Sequence, residues 1–145
     1  MDSVEPKRGI TIATIVARKW VPGIPRGYGD PKVASEWLKQ IADALGAYRG
    51  AGKKPDLKKA RYEVTLEFRV FPQRGMYRGQ NPIHGTDLDN LVKQTLDGLS
   101  QTRSKDLPEG LGILTSDNAV YRLLATKELV ACDAEMGMWV TIETL

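Results

Sequence analysis

Residues 61–70 place apolar side chains at Tyr62, Val64, Leu66, Phe68 and Val70, with polar ones at Arg61, Glu63, Thr65, Glu67 and Arg69. A period of two puts the apolar set on one face of an extended strand and leaves the other face wet. Such a strand cannot stand alone. It needs strands beside it and a layer over its apolar face, and the rest of the chain has to supply both.

The covering layer is legible on either side. Asp30-Pro31 reads as an N-cap followed by proline at the first helical position. Trp37, Leu38, Ile41, Leu45 and Tyr48 then recur at helical spacing until Gly50 and Gly52 end the run. A second helix is expected over about Leu88–Ser100, with Leu88, Leu91, Val92, Thr95, Leu96 and Leu99 as its buried stripe. The β-branched stretch 9–17 predicts a first strand, and Val120 to about Val130 and Met138–Thr144 predict two more. Residues 21–31, 72–86 and 101–112 read as loops, and 49–60 as a basic connector carrying Lys53, Lys54, Lys58 and Lys59. The order β-α-β-α-β-β predicts an α/β (α+β) fold, a single-layer mixed sheet flanked by two helices. The chain of 145 residues shows no repeat, linker or low-complexity tract, so a single domain over 1–145 is expected. A chain of this size buries about 70% of its unfolded surface.

Composition narrows the chemistry. A single cysteine, Cys132, excludes a disulfide framework and multi-Cys zinc sites, and a single histidine, His84, excludes paired-His metal motifs. Cys132 and His84 as nucleophile and base is the weaker reading. A buried structural thiol and an exposed turn histidine are expected instead. Gly52-Lys53 does not belong to a P-loop: Ala47 stands where the first glycine belongs and Lys54 where Ser or Thr is needed. Lys7-Arg8 before Ile10–Ala17 imitates a signal peptide only loosely, because Asp2 and Glu5 interrupt the basic region and Arg18-Lys19 replace a cleavage site. No apolar run approaches the roughly 18 residues of a membrane span, so an intracellular protein is expected. The net charge is +3, with 14 Lys/Arg against 8 Asp/Glu in residues 1–72 and 7 against 10 in residues 73–145. A basic half beside an acidic half suits a protein that attracts phosphates and holds metal ions, although the asymmetry favours nucleic acid only slightly.

The informative segment is Thr86-Asp87-Leu88-Asp89-Asn90-Leu91-Val92-Lys93. Two positions on a regular helix differ by about 200°, so Asp87 and Asp89 converge only if Asp87 lies before the helix and Asp89 in its first turn. Lys93 and Asp97 then follow on the Asp89 face, one turn apart. Acids in a first turn also complement the helix dipole, and Asp89, Lys93 and Asp97 also make an i,i+4 ladder. On these residues alone the structural explanation has more weight. Asp117, at the start of the strand expected from Val120, alters the balance. Three carboxylates without His or Cys are hard oxygen donors that suit Mg²⁺ or Mn²⁺, ions that activate water and offset charge on a phosphoryl group. A turn aspartate before a strand is the plainer alternative.

Asp87-Leu88-Asp89-Asn90-Leu91 followed by Lys93, then Asp97 and Leu99, Asp117 and Val120, and Lys127, resembles the RusA family of Holliday-junction resolvases. The resemblance covers roughly Thr86–Val130 closely and the remainder in element order only. It implies a RusA-like homodimer that cuts branched DNA with Mg²⁺, or with Mn²⁺, in the cytoplasm of a bacterium or encoded by a phage. Carried over by position, Asp87, Asp89 and Asp117 match the metal-binding carboxylates and Lys93 the catalytic lysine. Asn90, Asp97 and Lys127 match as supporting residues. Arg74, Tyr77 and Arg78, in the loop before Asp87, are candidates for DNA contact, with an ordinary flexible loop as the even alternative. Two departures stand out: Ser116-Asp117 replaces an acidic pair, and the 101–112 loop is longer than in compact members. The expected function is a Mg²⁺-dependent endodeoxyribonuclease that resolves four-way junctions by paired symmetric nicking in recombination and repair. The rivals are a structure-selective flap or fork nuclease and a branched-DNA-binding protein without catalysis.

Overall fold

The computed structural model describes residues 14–26, 31–71, 77–78, 81–82, 87–100 and 110–145, excluding the side chains of residues 31–34, 77–78, 81–82 and 117. Its elements are β1 (Ile15–Pro22), α1 (Pro31–Leu45), β2 (Tyr62–Val70), β3 (Tyr77–Arg78), β4 (Asn81–Pro82), α2 (Leu88–Ser100), β5 (Val120–Leu129) and β6 (Gly137–Thr144). Four strands form one mixed sheet in the order β1-β6-β2-β5. β6 pairs antiparallel with both β1 and β2, whereas β2 and β5 run parallel. The parallel pair requires a crossover, and α2 provides it. The mixed sheet with two helices is the architecture expected from the sequence.

β2 is an inner strand, paired with β6 on one side and β5 on the other, and its alternation buries one face. Tyr62, Val64, Leu66, Phe68 and Val70 are all buried, and none of the residues between them is. α1 packs on β1, α2 on β5, and the two helices touch each other. Trp37, Ile41, Leu45, Leu91 and Leu99 meet Val64, Leu66, Phe68, Val140 and Ile142 in one hydrophobic core. Tyr48, expected on the first stripe, packs against that core from a 3-10 turn, Gly46–Tyr48.

Across the sheet, Glu63 pairs with Arg122 (3.6 Å) and Arg69 with Glu128 (3.8 Å). The Arg69 guanidinium lies 5.7 Å from the Trp20 ring, whose centroid is 5.7 Å from that of Trp139. These neighbours follow from the register, in which Trp20 faces Trp139 and Trp139 faces Glu67.

Four expectations are corrected. The first strand runs beyond Ala17 to Pro22, because Ala17 and Val21 both point into the core and Arg18 stands on the opposite face from them. Residues 9–13 and Asp30 lie outside the described residues. The 72–86 segment contains the short pair β3–β4, Tyr77 opposite Pro82 and Arg78 opposite Asn81. The stretch after 110 is not simply polar loop: Leu111, Ile113 and Leu114 are almost wholly buried. Cys132 is exposed, so it is not a buried structural thiol. It precedes a 3-10 turn, Asp133–Glu135, outside the core.

Candidate functional site

α2 begins where the geometry of Asp87 and Asp89 requires. The Leu91 N–H donates to the Asp87 carbonyl at 3.1 Å, the bond an N-cap residue accepts from the first turn. Asp87 therefore lies just before the helix and Asp89 within its first turn, and both are exposed. The Asn90 N–H donates to Asp89 Oδ1 at 3.0 Å. The helix N-terminus itself favours negative charge there.

The stripe of α2 divides in two. Leu91, Gln94, Thr95, Gly98 and Leu99 are buried. Leu88, Val92 and Leu96 are only partly so, and they face outward over β5. With Leu123 and Ala125 of β5 they line a groove of about 590 Å³. Asp89, Lys93 and Asp97 line the same groove, so three of the motif residues share one surface with an apolar floor. Lys93 is exposed and Asp97 half-buried. Lys127 stands on β5 opposite Phe68, on the same face as Leu123 and Ala125. Asp97 and Lys127 both have interaction partners of their own.

Asp117 opens a 3-10 turn, Asp117–Ala119, that touches α2 and leads into β5. The segment before it is firmly tied. The Leu111 N–H donates to the Gly98 carbonyl at 3.0 Å, and the Ile113 N–H to that of Leu99 at 2.8 Å. Leu114 bonds to the same Leu99 carbonyl at 3.2 Å. Gly52 lies against this segment so closely that an added Cβ would come within 2.8 Å of the Ile113 carbonyl oxygen. The Asp117 side chain is outside the described residues. So are Arg74 and His84, and the side chains of Tyr77 and Arg78.

The donor set has the right chemistry for Mg²⁺ or Mn²⁺: exposed carboxylates at a helix start, with no thiolate or imidazole. Among the described residues, no three His, Cys, Asp or Glu side chains are grouped to hold a metal. A third ligand would have to come from outside that set, and Asp117 is the acid on the turn that touches α2.

The groove itself is what the sequence reading missed. Its signal was present in β5: Leu123 and Leu124 fall on opposite faces, and both are exposed at 44% and 57%. A strand apolar on both faces needs more cover than two helices on one side of the sheet provide.

No family model matches this chain, and comparison with curated proteins gives no match either.

Proposed function

We propose that the protein is a metal-dependent endodeoxyribonuclease that acts as a homodimer on four-way DNA junctions and nicks two strands symmetrically. The observation that supports this most is the start of α2. It sets Asp87 before the helix, Asp89 in its first turn and Lys93 one turn on, all exposed. Asp87, Asp89 and Asp117 would hold Mg²⁺ or Mn²⁺, and the ion would supply Lewis-acid chemistry to a phosphodiester. The chain's own residues do the remaining work. Asn90 fixes one Asp89 oxygen through its N–H. Lys93 offsets the negative charge that grows on the scissile phosphate. Hydrolysis adds a water oxygen to phosphorus and releases one strand end as the P–O bond breaks. Two copies related by a two-fold axis would present two such sites to the matching strands of a junction. Asn90, Asp97 and Lys127 support the site, and Arg74, Tyr77 and Arg78 contact DNA.

The test compares cleavage of a four-way junction, a flap and plain duplex in Mg²⁺. Selective nicking of the junction is the expected result. Equal cutting of flaps and junctions would replace the resolvase with a broader structure-selective nuclease. Tight junction binding without cleavage, in Mg²⁺ or Mn²⁺, would leave a branched-DNA-binding protein whose acids only cap α2. Asp117→Asn and Asp97→Asn run in parallel assign the third ligand: loss with the first and retention with the second is expected.

A further inference from the structure

Among the described residues β5 is an edge strand of ten residues, and edges of that length normally carry protection against pairing. The opposite edge has it. β1 exposes Arg18 and Lys19 and ends on Pro22, so a second β1 would meet like charge. β5 instead exposes Tyr121 at 66%, Leu124 at 57% and Leu129 at 55%. Its charges are of both signs, and their positions are self-complementary.

We propose that β5 pairs antiparallel with β5 of a second copy of this chain, about a two-fold axis at Ala125, to make one continuous eight-stranded sheet. An axis perpendicular to the sheet keeps each face on its own side, so residue numbers in opposed positions must sum to an even number. Among such registers, the one centred on Ala125 sets Arg122 opposite the second copy's Glu128, twice. Arg122 already pairs with Glu63, and Glu128 with Arg69, on the open face of the sheet. Joining the edges extends each pair into a row of alternating sign across the interface: Glu63, Arg122, then Glu128 and Arg69 of the second copy. Registers shifted by one residue at the axis lose this match. On the other face, the apolar groove of each copy meets its counterpart across the axis. Val92, Leu96, Leu123 and Ala125 then gain cover that no other described residue gives them. This pairing supplies a two-fold surface for the proposed nuclease, yet it rests on the strand edge alone and stands without the cleavage chemistry.

The test needs no DNA. Analytical ultracentrifugation of the full chain is expected to show a dimer. Leu124→Lys, at an already exposed position, is expected to weaken dimerisation by at least about tenfold while circular dichroism stays native. Opposed Cα atoms in an antiparallel pair lie within disulfide reach, about 4.5–5.5 Å. In a Cys132→Ser background, which removes the exposed native thiol, Ala125→Cys is therefore expected to cross-link under mild oxidation. Arg122→Cys alone is expected not to, and Arg122→Cys with Glu128→Cys to do so. A wild-type monomer at all concentrations would overturn the proposal. So would a dimer indifferent to Leu124→Lys, or one that does not cross-link through Ala125→Cys. A monomer would also remove the homodimer from the proposed function, whereas the other two results would leave that reading standing; nicking itself is measured separately.

Discussion

Tyr62 shows how one residue of the alternating strand carries more than hydrophobic area. Its ring is fully buried, and its hydroxyl donates to the Leu57 carbonyl at 3.0 Å. Burial, and then the negative charge of Asp56, raise its pKa from the ordinary 10.0. The protonated form is the one the fold favours. Its stabilising contribution is thus complete below pH 10.0 and is lost as pH rises from there through the folded value. Urea titrations at pH 9 and at progressively higher pH should show this loss in wild type and a smaller one in Tyr62→Phe. Gly137 is constrained differently. Its φ is +154°, and an added Cβ would collide with the Trp20 ring and the Val21 carbonyl oxygen. Gly137→Ala is expected to lower stability by roughly 2 kcal/mol or more, read from the urea midpoint. Gly52→Ala should cost a similar amount, because its collision is with backbone at Ile113–Thr115 that cannot swing aside.

At the scale of elements, what the sequence revealed depended on how local the cause was. α2 runs from Leu88 to Ser100, the limits its periodicity implies. β2 spans the alternating residues 62–70, because a period of two over nine residues has no helical rival. The end of β1 was misplaced because its continuation is set by pairing with β6, more than a hundred residues away. β3 and β4 are two residues each, too short to leave a periodic signal. Leu111 looked like the end of the 101–112 loop, because the segment from Leu111 to Leu114 is tied down by carbonyls of α2 and by Gly50 and Gly52, which are distant in sequence. The candidate site divides the same way. The Asp87-before-helix geometry is local and was legible. The groove was not, since it joins one side of α2 to a strand whose edge position the sequence does not state. The element-level prediction concerns Leu99, buried to 0% where α2 meets the core and the carbonyl that holds Ile113 and Leu114. Leu99→Ala should cost about 2–5 kcal/mol in equilibrium unfolding. It should also reduce hydrogen-exchange protection at Ile113 and Leu114.

The whole molecule is asymmetric in a useful way. Among the described residues, one face of the sheet is filled by two helices, the other carries Trp20, Trp139 and paired charges, and the β5 edge exposes Tyr121, Leu124 and Leu129. The motif residues of α2 lie beside that edge, so the pairing proposed for β5 would bring two copies of the α2 surface near a common axis. Among the described residues no helix is long and apolar enough to cross a membrane. At this scale Lys93→Met should separate binding from chemistry. Junction affinity by gel shift is expected to stay within about threefold of wild type, since one phosphate-directed charge changes affinity modestly, while the nicking rate falls by roughly 100-fold.

The central claim is that the acids at the start of α2 hold a metal that cuts junction DNA. The most direct measurement incubates purified wild type and Asp89→Asn with a synthetic four-way junction in Mg²⁺, with EDTA as control, and maps the nicks on each strand. Paired symmetric nicks are predicted with wild type, abolished by EDTA and reduced more than about 100-fold by Asp89→Asn. Loss of a group that merely orients a metal ligand already costs roughly 10–100-fold. Nicks that survive EDTA, or that Asp89→Asn leaves at the wild-type rate, would contradict the claim.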